Sequence, residues 1–433
     1  MILQRPKKNR PLPKSGHIVC IEVRGRHLRA VNDFLVKAVI FLGFFPFVSP
    51  VPTSSDLQPV FFLLAFALLI VQGRILKIPI RAVPLILFGL YQLIPITTES
   101  ESYRLTSQLN GGFAAIALLF FYTYRDKVTP NLVYAALLTH LVFAIVNFVL
   151  PSAWGAVIGN FMYQFRAELV TIRGAGGINP EAGFLGAFGA FFMAMGLYYY
   201  DNRVISRRKL FHFILASAAC VLLSKSGTGY LLFLITIGLY FLTRIDTKKA
   251  ILATIGLAVL YVAIDFIHFG EGNRGLEIVT RILQNPYQAI TTDISIMLRV
   301  VSVILGINSI FDGNIFGYGP GSFDMFAYSF LNAGNILVGQ EVANRITESG
   351  GGASAIGRIM VEFGLVGLIL AMTSVFLAFN LRILFIAFLS WSFILASFSF
   401  AFPITWLIVS ESLVSPSKFR KKIRTSTFAG KRA

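Results

Sequence analysis

The feature that most constrains this chain is a series of apolar runs, each close to a membrane crossing in length, joined by short connections that alternate in charge. A crossing takes roughly 20 apolar residues, fewer where its ends bend or tilt. Candidate spans lie at about Val31–Pro50, Pro59–Gly73, Ala82–Thr97, Gly111–Tyr124, Asn131–Leu150, Glu181–Tyr200, Leu210–Leu223, Thr228–Leu242 and Ala250–His268. Among their connections, GRILKIPIR, YRDKVTPN, DNRVISRRK and RIDTKK are basic, whereas SSDLQ, TESESYRLTSQ, the Pro151–Pro180 loop and SKSG are mixed or acidic. The two sets alternate at every crossing. One topology therefore satisfies the positive-inside tendency throughout: N-terminus in the cytoplasm, Pro151–Pro180 outside. Composition agrees, with 56% hydrophobic and 13% charged residues.

After His268 the apolar pattern lapses until about Ser354, so residues 269–353 form a long polar stretch that also faces outside. A span follows at about Ser354–Phe379, and Arg382 turns the chain inside. The tail SPSKFRKKIRTSTFAGKRA is strongly basic and belongs in the cytoplasm. That requires two crossings between Ile383 and Ser415, with a tight hairpin near Ser397–Pro403. The expected fold is all-α and polytopic, with about twelve transmembrane helices. It comprises a basic cytoplasmic tail (1–30), nine helices (31–268) with the outside loop 151–180, a large extracytoplasmic loop (269–353) carrying amphipathic helices, three more helices (354–415) and a second basic tail (416–433). Eleven spans, with that tail outside, is the alternative.

The net charge of +18 does not indicate a nucleic-acid partner, because the basic residues cluster at the chain ends and in short loops between apolar runs. The N-terminal tail has no cleavage site after its first apolar run, so it is read as a cytoplasmic tail and not a signal peptide; contact with anionic lipid and plain disorder are its two readings. Cys20 and Cys220 offer neither a disulfide framework nor a metal site. No HExxH, Walker or paired-cysteine motif occurs, and no DxD-like pair stands in an outside segment, so no metal or cofactor is expected. His140, His212 and Asp265 lie in or near apolar runs without shared spacing and are read as helix-packing hydrogen-bond formers.

Chemistry concentrates outside. In TIRGAGGINPEAGF, Arg173 stands at the mouth of a membrane helix. It cannot serve as a positive-inside anchor there, and a cation at a helix N-terminus opposes the helix dipole. A cost without a structural gain points to a ligand, and guanidinium plus helix N-terminus suits an oxyanion. DISIMLRVVSVILGINSIF, from Asp293, has an Asp N-cap and one central charge, Arg299, and fits an interfacial or re-entrant helix. DGNIFGYGPGSFDMF then excludes helix; its turn through Gly317, Gly319 and Gly321 is able to present amides to an anion. GQEVANRITESGGGASA reads as a lid.

In this order and spacing, the arginine near NPEAGF, LLSKSGTGYLLFL, the R…FGYGPGSF stretch and SAIGRIMVEFGLVGL resemble the O-antigen polymerase and O-antigen ligase family of bacterial envelope glycosyltransferases. The resemblance covers mainly Arg173–Phe241 and Arg299–Leu370; the first five spans match only in hydropathy. It implies a metal-independent integral-membrane glycosyltransferase of the bacterial inner membrane, with its active site facing the periplasm. Arg173 and Arg299 are implied as catalytic, holding the pyrophosphate of a polyprenyl-linked oligosaccharide. Gly317, Gly319 and Gly321 are implied to bind substrate, with Ser224 and Lys225 as a Ser-Arg-like element in which lysine replaces arginine. Arg358 and Glu348 lie nearby and are counted with the substrate-binding residues; the catalytic base is left unidentified, Glu348 being the only guess. The ligase branch carries a histidine where this chain reads Ala353-Ser354, which favours the polymerase branch: joining of lipid-linked repeat units into O-antigen, capsule or exopolysaccharide. A flippase and a chain-length regulator are the implied protein partners. A ligase, and a lipid-linked saccharide flippase or transporter, are the alternatives.

Overall fold

The computed structural model describes residues 31–50, 57–72, 78–94, 105–162, 174–243, 281, 284–285, 294–332, 354–377, 384–395 and 399–413. Among these residues all regular structure is helical. Helix α1 covers 31–42, followed by α2 (Val60–Val71), α3 (Val83–Gln92), α4 (Leu105–Tyr124), α5 (Pro130–Val149) and α6 (Pro151–Ile158). Then come α7 (Ala182–Asp201), α8 (Arg207–Ser224), α9 (Gly227–Leu242), α10 (Ile294–Phe311), α11 (Phe323–Asn332), α12 (Ala355–Leu377), α13 (Leu384–Leu395) and α14 (Pro403–Ser412). The expected span at Ala250–His268 lies outside the described residues, as do both basic tails.

Local chemistry sets the helix ends. Thr129 caps α5 by accepting from the Leu132 amide, and Pro130 at the first helical position supplies a pre-set φ. Ser206 and Ser226 cap α8 and α9 in the same way. α8 stops because Lys225 turns into the left-handed region, at φ 45°.

Among the described residues three helices are long and apolar enough by themselves to cross a bilayer: α5, α7 and α12. α4, at 20 residues, is as long as α5 and α7 but begins with the largely polar run LTSQLN, and the rest are shorter. A 12-residue helix is only about 18 Å long, so these need their flanking turns to cover a hydrocarbon layer. The Pro59–Gly73, Asn131–Leu150 and Glu181–Tyr200 expectations coincide with α2, α5 and α7 to within a few residues. The expected outside loop 151–180 differs: it opens with α6, and its end, 174–180, is buried.

α7 is the central pillar, almost wholly enclosed by its neighbours. Its glycines permit this. A methyl on Gly186 would meet the Gly229 Cα at 2.7 Å, and one on Gly189 would meet the Ser217 carbonyl at 2.9 Å. Small residues at such crossings let helix backbones approach, which is how helices associate where burial from water gives no drive. Phenylalanine fills the rest: Phe44, Phe188, Phe191 and Phe192 are all essentially inaccessible. α14 is buried along its whole length, with Trp406 donating to the Phe400 carbonyl at 2.7 Å.

Polar contacts sort into two layers at opposite ends of the bundle. At one end Asp33 pairs with Lys37 and Lys127, Tyr199 donates to the Val128 carbonyl, Tyr240 to Asp201, Tyr198 to Glu411 and Arg81 to the Leu377 carbonyl. Every basic connection with described residues, 78–82, 125–131 and 201–209, adjoins this layer. At the other end the Ser49 amide donates to the Phe161 carbonyl, Gly111 to the Gln92 side chain and Ser399 to Asn110. The chain between α13 and α14 therefore turns at the end opposite the basic loops, and Glu411 brings the end of α14 back to them.

Candidate functional site

Two clusters at the end opposite the basic loops gather most of the glycine-rich segments. The first is built on the buried 174–180 loop. Gly174 and Gly177 have φ of 86° and 65°, which only glycine adopts without strain. Asn147 on α5 accepts from the amides of Gly176 and Gly177 at 2.9 and 3.0 Å. Asn179 donates to the Gly176 carbonyl at 2.9 Å, and the Trp154 indole of α6 donates to the Gly177 carbonyl at 2.7 Å. His140 backs the loop. One ring nitrogen meets the Phe44 carbonyl at 2.9 Å, and its ring packs against Phe45 and Phe188. Its expected role as a packing residue holds; His212 is exposed near the basic end, and Asp265 lies outside the described residues.

This loop meets the turn between α8 and α9. The Ala175 amide donates to the Leu223 carbonyl at 2.9 Å. A methyl on Gly174 would overlap the Ser224 carbonyl, so the two backbones touch. Ser224 is buried, its hydroxyl donating to the Val221 carbonyl at 2.7 Å and accepting from the Ser226 amide. Lys225 places its ammonium 5.9 Å from the centre of the Phe148 ring. Arg173, the residue before Gly174, lies outside the described residues.

The second cluster is built on a broken helix. Within α12, Gly364 adopts φ 65° and ψ −162°, which interrupts the hydrogen-bond ladder. The segment after α10 fills the gap. The amides of Tyr318 and Gly319 donate to the carbonyls of Val361 and Glu362 at 3.1 and 2.9 Å. In return the amides of Leu365 and Val366 donate to the carbonyls of Asn314 and Ile315. Asn314 locks the junction: its amide group donates to the Met360 and Val361 carbonyls, and its oxygen accepts from the Gly317 amide at 2.7 Å. The turn's glycines have φ of 94°, 100° and 86° at Gly317, Gly319 and Gly321.

This geometry corrects one expectation. The amides of Gly317, Tyr318 and Gly319 are committed to Asn314 and the helix break, so Gly317 and Gly319 do not present them to an anion. What the turn does present is its flank. Arg358 of α12 lies 5.7 Å from the centre of the Phe323 ring and 3.9 Å, through Nε, from Glu362. Tyr318 stacks on Phe326; its partial burial, with the Asp312 carboxylate nearby, pushes the phenol above its usual range.

Arg299 lies half-buried on α10, its carbonyl accepting from the Ser302 hydroxyl at 2.8 Å. Ser302 accepts in turn from the Ser354 amide at 2.8 Å, so Arg299 stands near the start of α12. α10 is packed lengthwise against α12: a methyl on Gly357 would overlap the Ser302 carbonyl, and one on Gly306 would meet the Gly357 carbonyl at 2.9 Å. The structure thus brings Arg299, the glycine turn and Arg358 onto one pair of elements, and Ser224 and Lys225 to the 174–180 loop on another. Glu348 lies outside the described residues. Asn147, Asn314 and Glu362 escaped the sequence reading because a single polar residue in an apolar run does not reveal its partner. Among the described residues no three metal-binding side chains converge. The chain matches no family model and no curated protein.

Proposed function

We propose that this chain is an integral-membrane glycosyltransferase that polymerises polyprenyl-pyrophosphate-linked oligosaccharides on the outer face of a bacterial inner membrane. The observation that carries the reading is the meeting of the 174–180 loop with the Ser224–Lys225 turn. Two segments far apart in sequence, each carrying part of the family-like pattern, touch through their backbones at the end opposite the basic loops. Arg173 is bonded directly to that loop.

The twelve-span reading fits the layer arrangement. α9 ends in the basic layer, whereas α10 begins beyond Ser354 at the other end. The chain therefore changes ends between 243 and 294, where the sequence has the apolar run Ala250–His268.

In the proposed reaction a hydroxyl of one lipid-linked unit attacks the anomeric carbon of another. The new glycosidic C–O bond forms as the bond from anomeric carbon to phosphate oxygen breaks, and the lipid pyrophosphate leaves. The hydroxyl proton passes to a base, for which Glu348 is the candidate. Arg173, Arg299 and Arg358 stabilise the charge that grows on the departing phosphate, with Lys225 as a further point charge. The glycine turn seals the break in the helix that carries Arg358. Losing one arginine should cost on the order of 2–4 kcal/mol of transition-state stabilisation.

The test uses a strain lacking its own copy, complemented with wild type, Arg173→Ala or Arg299→Ala at matched membrane levels. Surface glycan is then resolved by length. Single repeat units in place of a ladder support the proposal. Normal ladders from both variants would reduce the arginines to anchors, and loss of all surface glycan would favour ligation or export instead.

A further inference from the structure

Glu362 has no part in the reading above, yet it is 1% exposed beside the glycine turn. A buried carboxylate is expensive unless a cation pairs with it. The break in α12 does not require this side chain, because Asn314, Tyr318 and Gly319 already take the exposed carbonyls. The carboxylate faces Arg358 instead, Oε1 to Nε at 3.9 Å. The two side chains differ in accessibility: that of Glu362 is 2% exposed, that of Arg358 26%. A ligand arriving at the turn reaches the arginine and not the glutamate. The guanidinium also lies over the Phe323 ring. A guanidinium with a buried anion 3.9 Å away and a ring centre 5.7 Å away is biased toward one orientation, which favours capture of an oxyanion.

We propose that Glu362 is a positioning residue that orients Arg358 to receive the pyrophosphate of the lipid-linked donor. This rests on the reading of the chain as an enzyme acting on polyprenyl-pyrophosphate glycans. The contrary view is that the pair, one helical turn apart, only staples α12.

The full-length protein in lipid nanodiscs separates the two, with polyprenyl pyrophosphate as the probe and the melting temperature as the control for fold. Glu362→Gln keeps the shape and removes the charge. It should weaken binding about tenfold, the scale of one lost charge-assisted contact. Arg358→Lys keeps a cation opposite Glu362 but loses the fork, and should weaken binding similarly while melting as wild type does. Combining the two should add little, because both act through one contact. The exchanged pair Arg358→Glu with Glu362→Arg should recover the melting temperature and not the binding.

Wild-type binding by Glu362→Gln, additive losses in the double variant, or recovered binding in the exchanged pair would each overturn the proposal. Failure of the wild type to bind the probe would overturn both this proposal and the donor assignment. Charge-dependent binding by a protein that builds no glycan ladder would uphold Glu362 and remove only the polymerase reading.

Discussion

Gly364 interrupts an apolar helix where nothing nearby in sequence announces a break. Its φ and ψ of 65° and −162° lie in a region open essentially to glycine alone. Space is equally restrictive: a methyl there would approach the Gly317 amide nitrogen and the Ile315 carbonyl to 2.5 Å. Gly238, in α9, is the natural contrast, with an ordinary helical backbone and nothing within 4 Å of the place a methyl would take. Gly364→Ala should destabilise the protein by on the order of 1–3 kcal/mol or more. Gly238→Ala should be neutral or stabilising by up to about 1 kcal/mol, since alanine loses less backbone freedom in a helix. Thermal unfolding of the detergent-solubilised variants checks this: equal midpoints for the two would mean that the break is not structurally required.

At the scale of elements, the 174–180 loop shows how a polar turn is held in an apolar bundle. Asn147 satisfies two of its amides, Asn179 and Trp154 satisfy two of its carbonyls, and α6 carries the indole. Each buried backbone group left unpaired costs about 1–3 kcal/mol. Asn147→Ala orphans two amides, whereas Trp154→Phe orphans one carbonyl and keeps the ring that stacks on Phe143. On the proposed function, surface glycan measured at equal membrane levels should fall in that order, wild type above Trp154→Phe above Asn147→Ala. Wild-type output from Asn147→Ala would detach the loop from the chemistry.

The same elements show what the sequence could reveal. α2, α5 and α7 were legible because proline, charge or polar clusters bound their apolar runs on both sides. The α12 break was not, because Gly364 in EFGLVG reads like any glycine tolerated in a membrane helix. Its cause is Asn314, some fifty residues earlier. The burial of GAGGINP was equally hidden: its composition fits an exposed turn, and only its partners on α5 and α6 allow it inside. Periodicity reports an element's own faces, whereas re-entrant and broken segments depend on hydrogen bonds between distant elements.

For the whole molecule, the two polar layers turn loop charge into a testable orientation. Asp126 and the α14 terminus at Glu411 belong to the basic layer, and Asn160 to the opposite one through Phe161. Each crossing helix joins the layers, so an even number of crossings returns the C-terminal tail to the side of the N-terminal one. The positive-inside tendency supports the proposed orientation, with the basic layer cytoplasmic and the 174–180 loop and glycine turn outside, on the face where the proposed lipid-linked donor would be used. Single cysteines at Asp126, Asn160 and Ser417 in a Cys20→Ser background test this with a membrane-impermeant maleimide; Cys220 is buried and should stay silent. Asn160→Cys should label on intact spheroplasts, and Asp126→Cys and Ser417→Cys only after permeabilisation. Labelling of Ser417→Cys from outside would leave an odd number of crossings and remove the twelve-span topology. Labelling of Asp126→Cys from outside, with Asn160→Cys protected, would invert the protein, and a lipid-linked donor would then have to be used on the cytoplasmic face before any export.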